Sequence, residues 1–126
     1  MSLTNNGRDE IVKCLMGVGT IFNSSNARLG IGDSGAAFQT TQVDLQATNN
    51  KFRQVMDTGY PIINGNDITF KATYNGDQAN FAWQEWGVAN SATDGTLLNR
   101  CVEYNGTKLQ GQTWIFEVTL TIQIGA

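Results

Sequence analysis

Four dipeptides that tolerate positive φ, Asn64-Gly65, Asn75-Gly76, Asp94-Gly95 and Asn105-Gly106, punctuate the second half of this 126-residue chain. Such pairs favour the tight turns that join antiparallel strands. Four of them in so short a length constrain the chain to an antiparallel sheet system. The segments around them carry the matching period of two. From Gln112 to Ile124, residues Trp114, Phe116, Val118, Leu120, Ile122 and Ile124 fall on one face, and Ile115, Glu117, Thr119, Thr121 and Gln123 on the other. This segment is expected to be the long central strand of the core. Ile68, Phe70, Ala72 and Tyr74 alternate with Thr69, Lys71 and Thr73 in the same way. Shorter strands are expected at Lys51 to Thr58, Phe81 to Ala89 and Leu97 to Tyr104, with a further one around Arg28 to Gly32.

One helix precedes the strands. Asn6 is placed to cap it, Asp9 and Glu10 sit where the helix dipole favours acids, and Gly17 is placed to end it. Ile11, Cys14, Leu15 and Val18 then share an apolar face suited to docking on a sheet. The predicted fold is mostly β, an antiparallel two-sheet β-sandwich of the jelly-roll kind with one short N-terminal helix packed on an edge. A chain of this length buries roughly two-thirds of its unfolded surface as one domain, residues 1–126. Residues 1–18 form the N-terminal segment and helix. The weakly patterned residues 33–50 read as an arm or long loop, in which Val43 and Leu45 form a short helical turn or cover a sheet edge.

Charge narrows the possible partners. The net charge is −3 and the eight basic residues are scattered, giving no stripe that would release counterions from phosphates, so no direct nucleic-acid partner is expected. Only 15% of residues are charged. The surface is then held in water by neutral amides and hydroxyls, which cost less to bury against another protein than charges do. The polar start, Met1 to Glu10, has no cationic and apolar leader, and no apolar run reaches membrane-spanning length. A protein made in the cytosol, without membrane association, is expected. Cys14 and Cys101 are widely separated within apolar patterns and read as reduced core residues, with a bridge between them as the lesser alternative.

Each motif that could carry chemistry also has a plainer reading. Gly30-Ile31-Gly32-Asp33-Ser34-Gly35 spells G-x-G-x-x-G, yet no helix follows it in a parallel βαβ unit, and the glycines read as turn formers. Gly32-Asp33-Ser34-Gly35 resembles the surroundings of a nucleophilic serine, but the chain has no histidine to take its proton. The missing histidine also removes the commonest metal ligand. Glu85, between Trp83 and Trp86, reads as a carboxylate turned to solvent or to an arginine such as Arg100 rather than a buried acid catalyst. Trp83, Trp86, Trp114, Tyr60 and Tyr104 read as core or subunit interface, with a sugar-stacking platform as a minor option. No catalytic residue, cofactor or metal site is therefore expected, and the chain is read as a non-enzyme.

A spaced pattern over most of the chain resembles small virion proteins of tailed bacteriophages. It comprises Leu3-Thr4-Asn5-Asn6-Gly7 before a short helix, Leu29-Gly30-Ile31-Gly32-Asp33, Leu45, Arg53 and Ile68-Thr69-Phe70-Lys71-Ala72. It continues with Glu85-Trp86-Gly87-Val88, Leu97-Leu98-Asn99-Arg100 and the last strand from Trp114. Within that group the resemblance is greatest to head decoration, or cement, proteins, β-sandwich subunits that sit on the outer capsid face and clamp neighbouring capsomers. It implies a virion location, the major capsid protein as partner and self-association as a dimer or trimer. The expected capsid contacts are the Gly- and Asn-rich loops, residues 32–50 and the residues ahead of the helix. Related patterns also occur in tail-fibre and baseplate proteins, so the alternative is a module that binds a host receptor or glycan, with Trp83 or Tyr60 stacking on sugar rings.

Overall fold

A computed structural model describes residues 2–123 and resolves the alternating segments into two antiparallel sheets and one short helix. The elements are β1 (Ser2–Leu3), α1 (Asn5–Leu15), β2 (Arg28–Gly32), β3 (Lys51–Val55), β4 (Ile62–Asn64), β5 (Asp67–Tyr74), β6 (Glu85–Ala89), β7 (Asn99–Val102) and β8 (Trp114–Thr121). Five strands form one sheet in the order β1-β7-β6-β2-β3, and three form the other in the order β4-β5-β8. Every pairing is antiparallel. After β3 the chain crosses to the second sheet for β4 and β5, returns for β6 and β7, and crosses again for β8. The expected β-sandwich with one N-terminal helix is the observed architecture.

Only two of the four turn dipeptides lie in hairpin connections. Gly65 and Asn66 are the central residues of the β4–β5 turn, and only Gly65 has positive φ, +62°, as a type II′ turn requires. Asp94 and Gly95 both take positive φ in the connection between β6 and β7. Asn75-Gly76 and Asn105-Gly106 instead lie in the crossovers between sheets, whose backbones meet where Trp83 N–H donates to the Gly106 carbonyl at 2.8 Å. Buried Lys108 fastens these crossovers further, its ammonium donating to the Asn75 carbonyl and to Asn80 Oδ1 at 2.6 and 2.7 Å.

Aromatic side chains fill the space between the sheets. Trp83 is buried and makes edge-on contacts with Tyr74, Trp114 and Phe116, with ring centroids 4.8, 4.9 and 5.8 Å apart. Its indole N–H donates to the Ala79 carbonyl at 2.9 Å. The Tyr74 hydroxyl reaches from β5 to the facing sheet and donates to the Leu29 carbonyl at 2.9 Å. Burial, aided by the Asp57 charge, holds this phenol well above its ordinary pKa, so it remains a donor. Leu29, Ile31, Trp86 and Val88 complete the core from the larger sheet.

Three expectations about elements are corrected. The last strand is an edge strand, because β5 occupies the middle of its sheet between β4 and β8. Its inner row, Trp114, Phe116, Val118 and Leu120, is consequently half-buried, and Ile122 lies beyond the strand, exposed. Ile124 falls outside the described residues. The helix is capped by Thr4, not Asn6, because β1 delivers Thr4 against β7 at the point where strand gives way to helix. Buried Thr4 donates through Oγ1 to the Leu97 carbonyl at 2.6 Å and accepts there from the Gly7 N–H at 2.8 Å.

The buried side of the helix is likewise not the apolar stripe read from sequence. Gly7 and Glu10 face the sandwich, Ile11 and Cys14 are half-buried, and Leu15 and Val18 are exposed, Val18 lying beyond the helix. A Cβ on Gly7 would overlap the Leu98 carbonyl, so glycine is what lets the helix approach the strand. Glu10 Oε1 accepts from Asn90 Nδ2 at 3.0 Å and anchors the β6–β7 connection to the helix. Gly17, at φ +72°, does end the helix, its N–H donating to the Cys14 carbonyl. The thiols of Cys14 and Cys101 are free but half-buried rather than core.

Thr4→Ala removes the cap and one buried hydrogen bond. It should lower unfolding stability by about 1–2 kcal/mol in urea titration, whereas Thr4→Ser should keep most of it. Equal stability of Thr4→Ala and the unsubstituted protein would contradict the assignment of the cap.

Candidate functional site

The larger sheet is buried on both faces in its centre. Opposite the aromatic core, its outer face carries Gly30 and Gly32 from β2, Lys51 and Arg53 from β3, Glu85 from β6 and Arg100 from β7. Residues 33–50, which have no regular secondary structure, lie over this face as an outer layer. The segment read as an arm is thus tied down at specific points.

Glu85 and Arg100 make the tie. Both side chains are fully buried and Arg100 Nε lies 2.7 Å from Glu85 Oε1. The carboxylate also accepts backbone N–H bonds from Gln46 at 2.7 Å, Ala47 at 2.8 Å and Ser34 at 3.3 Å. The guanidinium donates onward to the carbonyls of Ala36 and Ser34 and to Gln42 Oε1. Arg100 is the partner expected for Glu85, but the solvent-facing alternative is excluded by burial. Gly30 and Gly32 are strand residues, not turn formers. A Cβ on Gly32 would overlap the Glu85 carboxylate, and one on Gly30 would press on Leu45 Cδ1 at 3.1 Å. The G-x-G spelling here provides room for a buried carboxylate and a covering leucine.

Asp44 adds a weaker tie at the rim, meeting Lys51 Nζ at 2.8 Å and Arg53 Nη2 at 3.3 Å. Burial alone would raise its pKa. The hydrogen bonds from Lys51 and the Leu45 N–H, with the charges of Lys51 and Arg53, outweigh that and hold it below the ordinary value of 3.8.

The aromatic residues do not share an exposed face. Trp83 and Trp86 are buried, which removes Trp83 from any sugar platform, and Trp114 is half-buried. Tyr104 is exposed. Tyr60 is half-buried, with Lys71 Nζ 5.3 Å from its ring centroid. Among the described residues, no group of three or more Cys, Asp or Glu side chains is placed to hold a metal ion, and no helix is long and apolar enough to cross a membrane.

Tyr60 instead lines an apolar groove of about 680 Å³ between the end of α1 and the start of β4. Its walls include Leu15, Ile21, Phe22, Pro61 and Ile63, and no charged side chain lines it. Leu15 and Ile63 are 83% and 77% exposed, and Met16 and Val18, which follow Leu15 in the chain, are 78% and 74% exposed. So much bulky apolar surface in one place makes this the candidate interaction face. The sequence reading missed it by assigning Leu15 and Val18 to the docked face of the helix; the adjacent pair Ile62-Ile63, held between Pro61 and the Asn64-Gly65 turn, was the available signal. Of the expected contact regions, the residues ahead of the helix are built into the sheet through β1, and residues 33–50 expose Gly35–Ala37 and Val43.

Arg100→Met should cost about 3–5 kcal/mol, the penalty for leaving a buried carboxylate without its cation. Hydrogen exchange should speed up at the Gln46 and Ala47 amides before the rest of the sandwich; uniform exchange would contradict a local tie. Asp44 has a depressed folded pKa, so its stabilisation is present above the unfolded value near 3.8 and is lost as pH falls through the lower folded value. The stability difference between the protein and Asp44→Asn should therefore vanish in acid and shrink with salt, staying under about 1 kcal/mol because the pair is partly exposed.

No protein-family model matches the chain, and no curated protein matches it.

Proposed function

We propose that the chain is a structural virion protein of a tailed bacteriophage, a cement subunit that binds the outer capsid surface and braces joints between capsomers without catalysis. The observation that carries this reading is the uncharged apolar groove, with Leu15 and Ile63 exposed in its walls, on an otherwise pinned sandwich. A rigid body with a desolvatable groove suits a clamp, since little conformational entropy is lost when it docks. The resemblance of the spaced sequence pattern to phage decoration proteins supplies the partner, the major capsid protein. Contacts of roughly 800 Å² per partner suffice when several act together. The tail-module alternative loses support with the burial of Trp83, one of the two rings it relied on.

Purified protein should bind mature capsids stripped of it, saturating in sedimentation at a fixed ratio to capsid subunits. Ile63→Asp or Leu15→Asp should weaken that binding at least tenfold, about 1.4 kcal/mol or more, with the fold intact by circular dichroism. Absence of binding to heads, together with binding to tails or host glycans, would overturn the cement reading.

A further inference from the structure

The free edge of β8 is long, regular and unprotected. The strand runs eight residues, paired to β5 along its whole length, and among the described residues no strand lies against its other side. Its four-residue inner row is only half-buried, whereas Phe70, Ala72 and Tyr74 of β5, which face the same way, are buried. Proteins that keep such an edge in water usually shorten it, bend it or line it with lysine or proline. This one carries a single charge, Glu117, and no proline.

We propose that β8 pairs antiparallel with β8 of a second copy, joining two three-stranded sheets into one of six strands. The register follows from the ladder. The Ile122 N–H donates to the Asn66 carbonyl at 3.0 Å, so even-numbered residues of β8 direct their N–H and C=O groups to β5. Ile115, Glu117, Thr119 and Thr121 then direct theirs to the open edge. A two-fold axis perpendicular to the sheet pairs residues of equal parity, because inner faces must coincide. Two registers overlap most of the strand. Centring on Glu117 sets the two carboxylates opposite each other, which is unfavourable. Centring on Val118 sets Glu117 opposite Thr119 and Ile115 opposite Thr121, both pairs with edge-facing backbone groups. On the inner row the same register places Phe116 against Leu120, covering surface that the monomer leaves half open. The Val118-centred pairing is therefore the one the edge specifies.

This interface stands on the edge alone and holds whether or not the chain binds capsids. Sedimentation equilibrium of the full chain should show a concentration-dependent dimer. Thr119→Glu places like charges opposite one another twice and should weaken the dimer roughly tenfold; Glu117→Lys combined with Thr119→Glu should restore it. In a Cys14→Ser/Cys101→Ser background, Val118→Cys should oxidise to a covalent dimer. Leu120→Cys should not, because its own copy lies four residues along, roughly 13 Å away. A monomer at all concentrations, or a dimer that ignores Thr119→Glu, would overturn the proposal.

Discussion

Removing a carboxylate and a guanidinium from water costs several kcal/mol for each ion, and the attraction between them offsets this only when their remaining hydrogen-bonding capacity is also satisfied. At Glu85 and Arg100 the satisfaction comes from the backbone of residues 33–50, which supplies three N–H donors to the carboxylate and two carbonyls to the guanidinium. The irregular segment and the ion pair therefore need each other. Without the segment, the pair would be a pair of poorly compensated charges on the outer face of a sheet. Without the pair, a chain of 18 residues lacking helix or strand would keep few fixed points. Gly32 belongs to the same unit, because its missing side chain is the space the carboxylate occupies.

This arrangement turns a two-sheet sandwich into a body with three layers where β2 and β6 run. One face of β2 meets the aromatic core through Leu29 and Ile31, and the other meets the outer layer through Leu45 over Gly30. The second sheet has no such cover at its open side. Its three strands leave the inner row of β8 half-buried, and the apolar groove opens beside β4. The molecule thus combines one pinned, covered face with two uncovered apolar features, and the proposed role uses the uncovered ones.

Much of the strand content was legible in the sequence because period-two alternation reports directly on which side chains share a face. Arg28 to Gly32 and the row Ile68 to Tyr74 fall where that pattern placed them. Alternation carries no information on sheet order, however, so Gln112 to Ile124 was expected at the centre although β8 is an edge. Thr4 was overlooked as a cap because its role depends on a strand pairing with β7, 93 residues away from the carbonyl its hydroxyl meets. β4 is three residues long and too short to show a period. At the site, Arg100 was recognisable as a partner for Glu85 from opposite charge on neighbouring strands, but the burial of both ions depends on residues 33–50 folding back over them. The groove was hidden by a helical stripe whose outer half, Leu15, never reaches the core.

The proposed role is that of an abundant outer-surface subunit of a phage head. Quantitative mass spectrometry of purified virions, with the major capsid protein as internal reference, tests it most directly. A copy number in a fixed, simple ratio to the capsid subunits, removed by mild surface treatment that leaves the shell intact, is the predicted result. A handful of copies per particle that remain with isolated tails would contradict it.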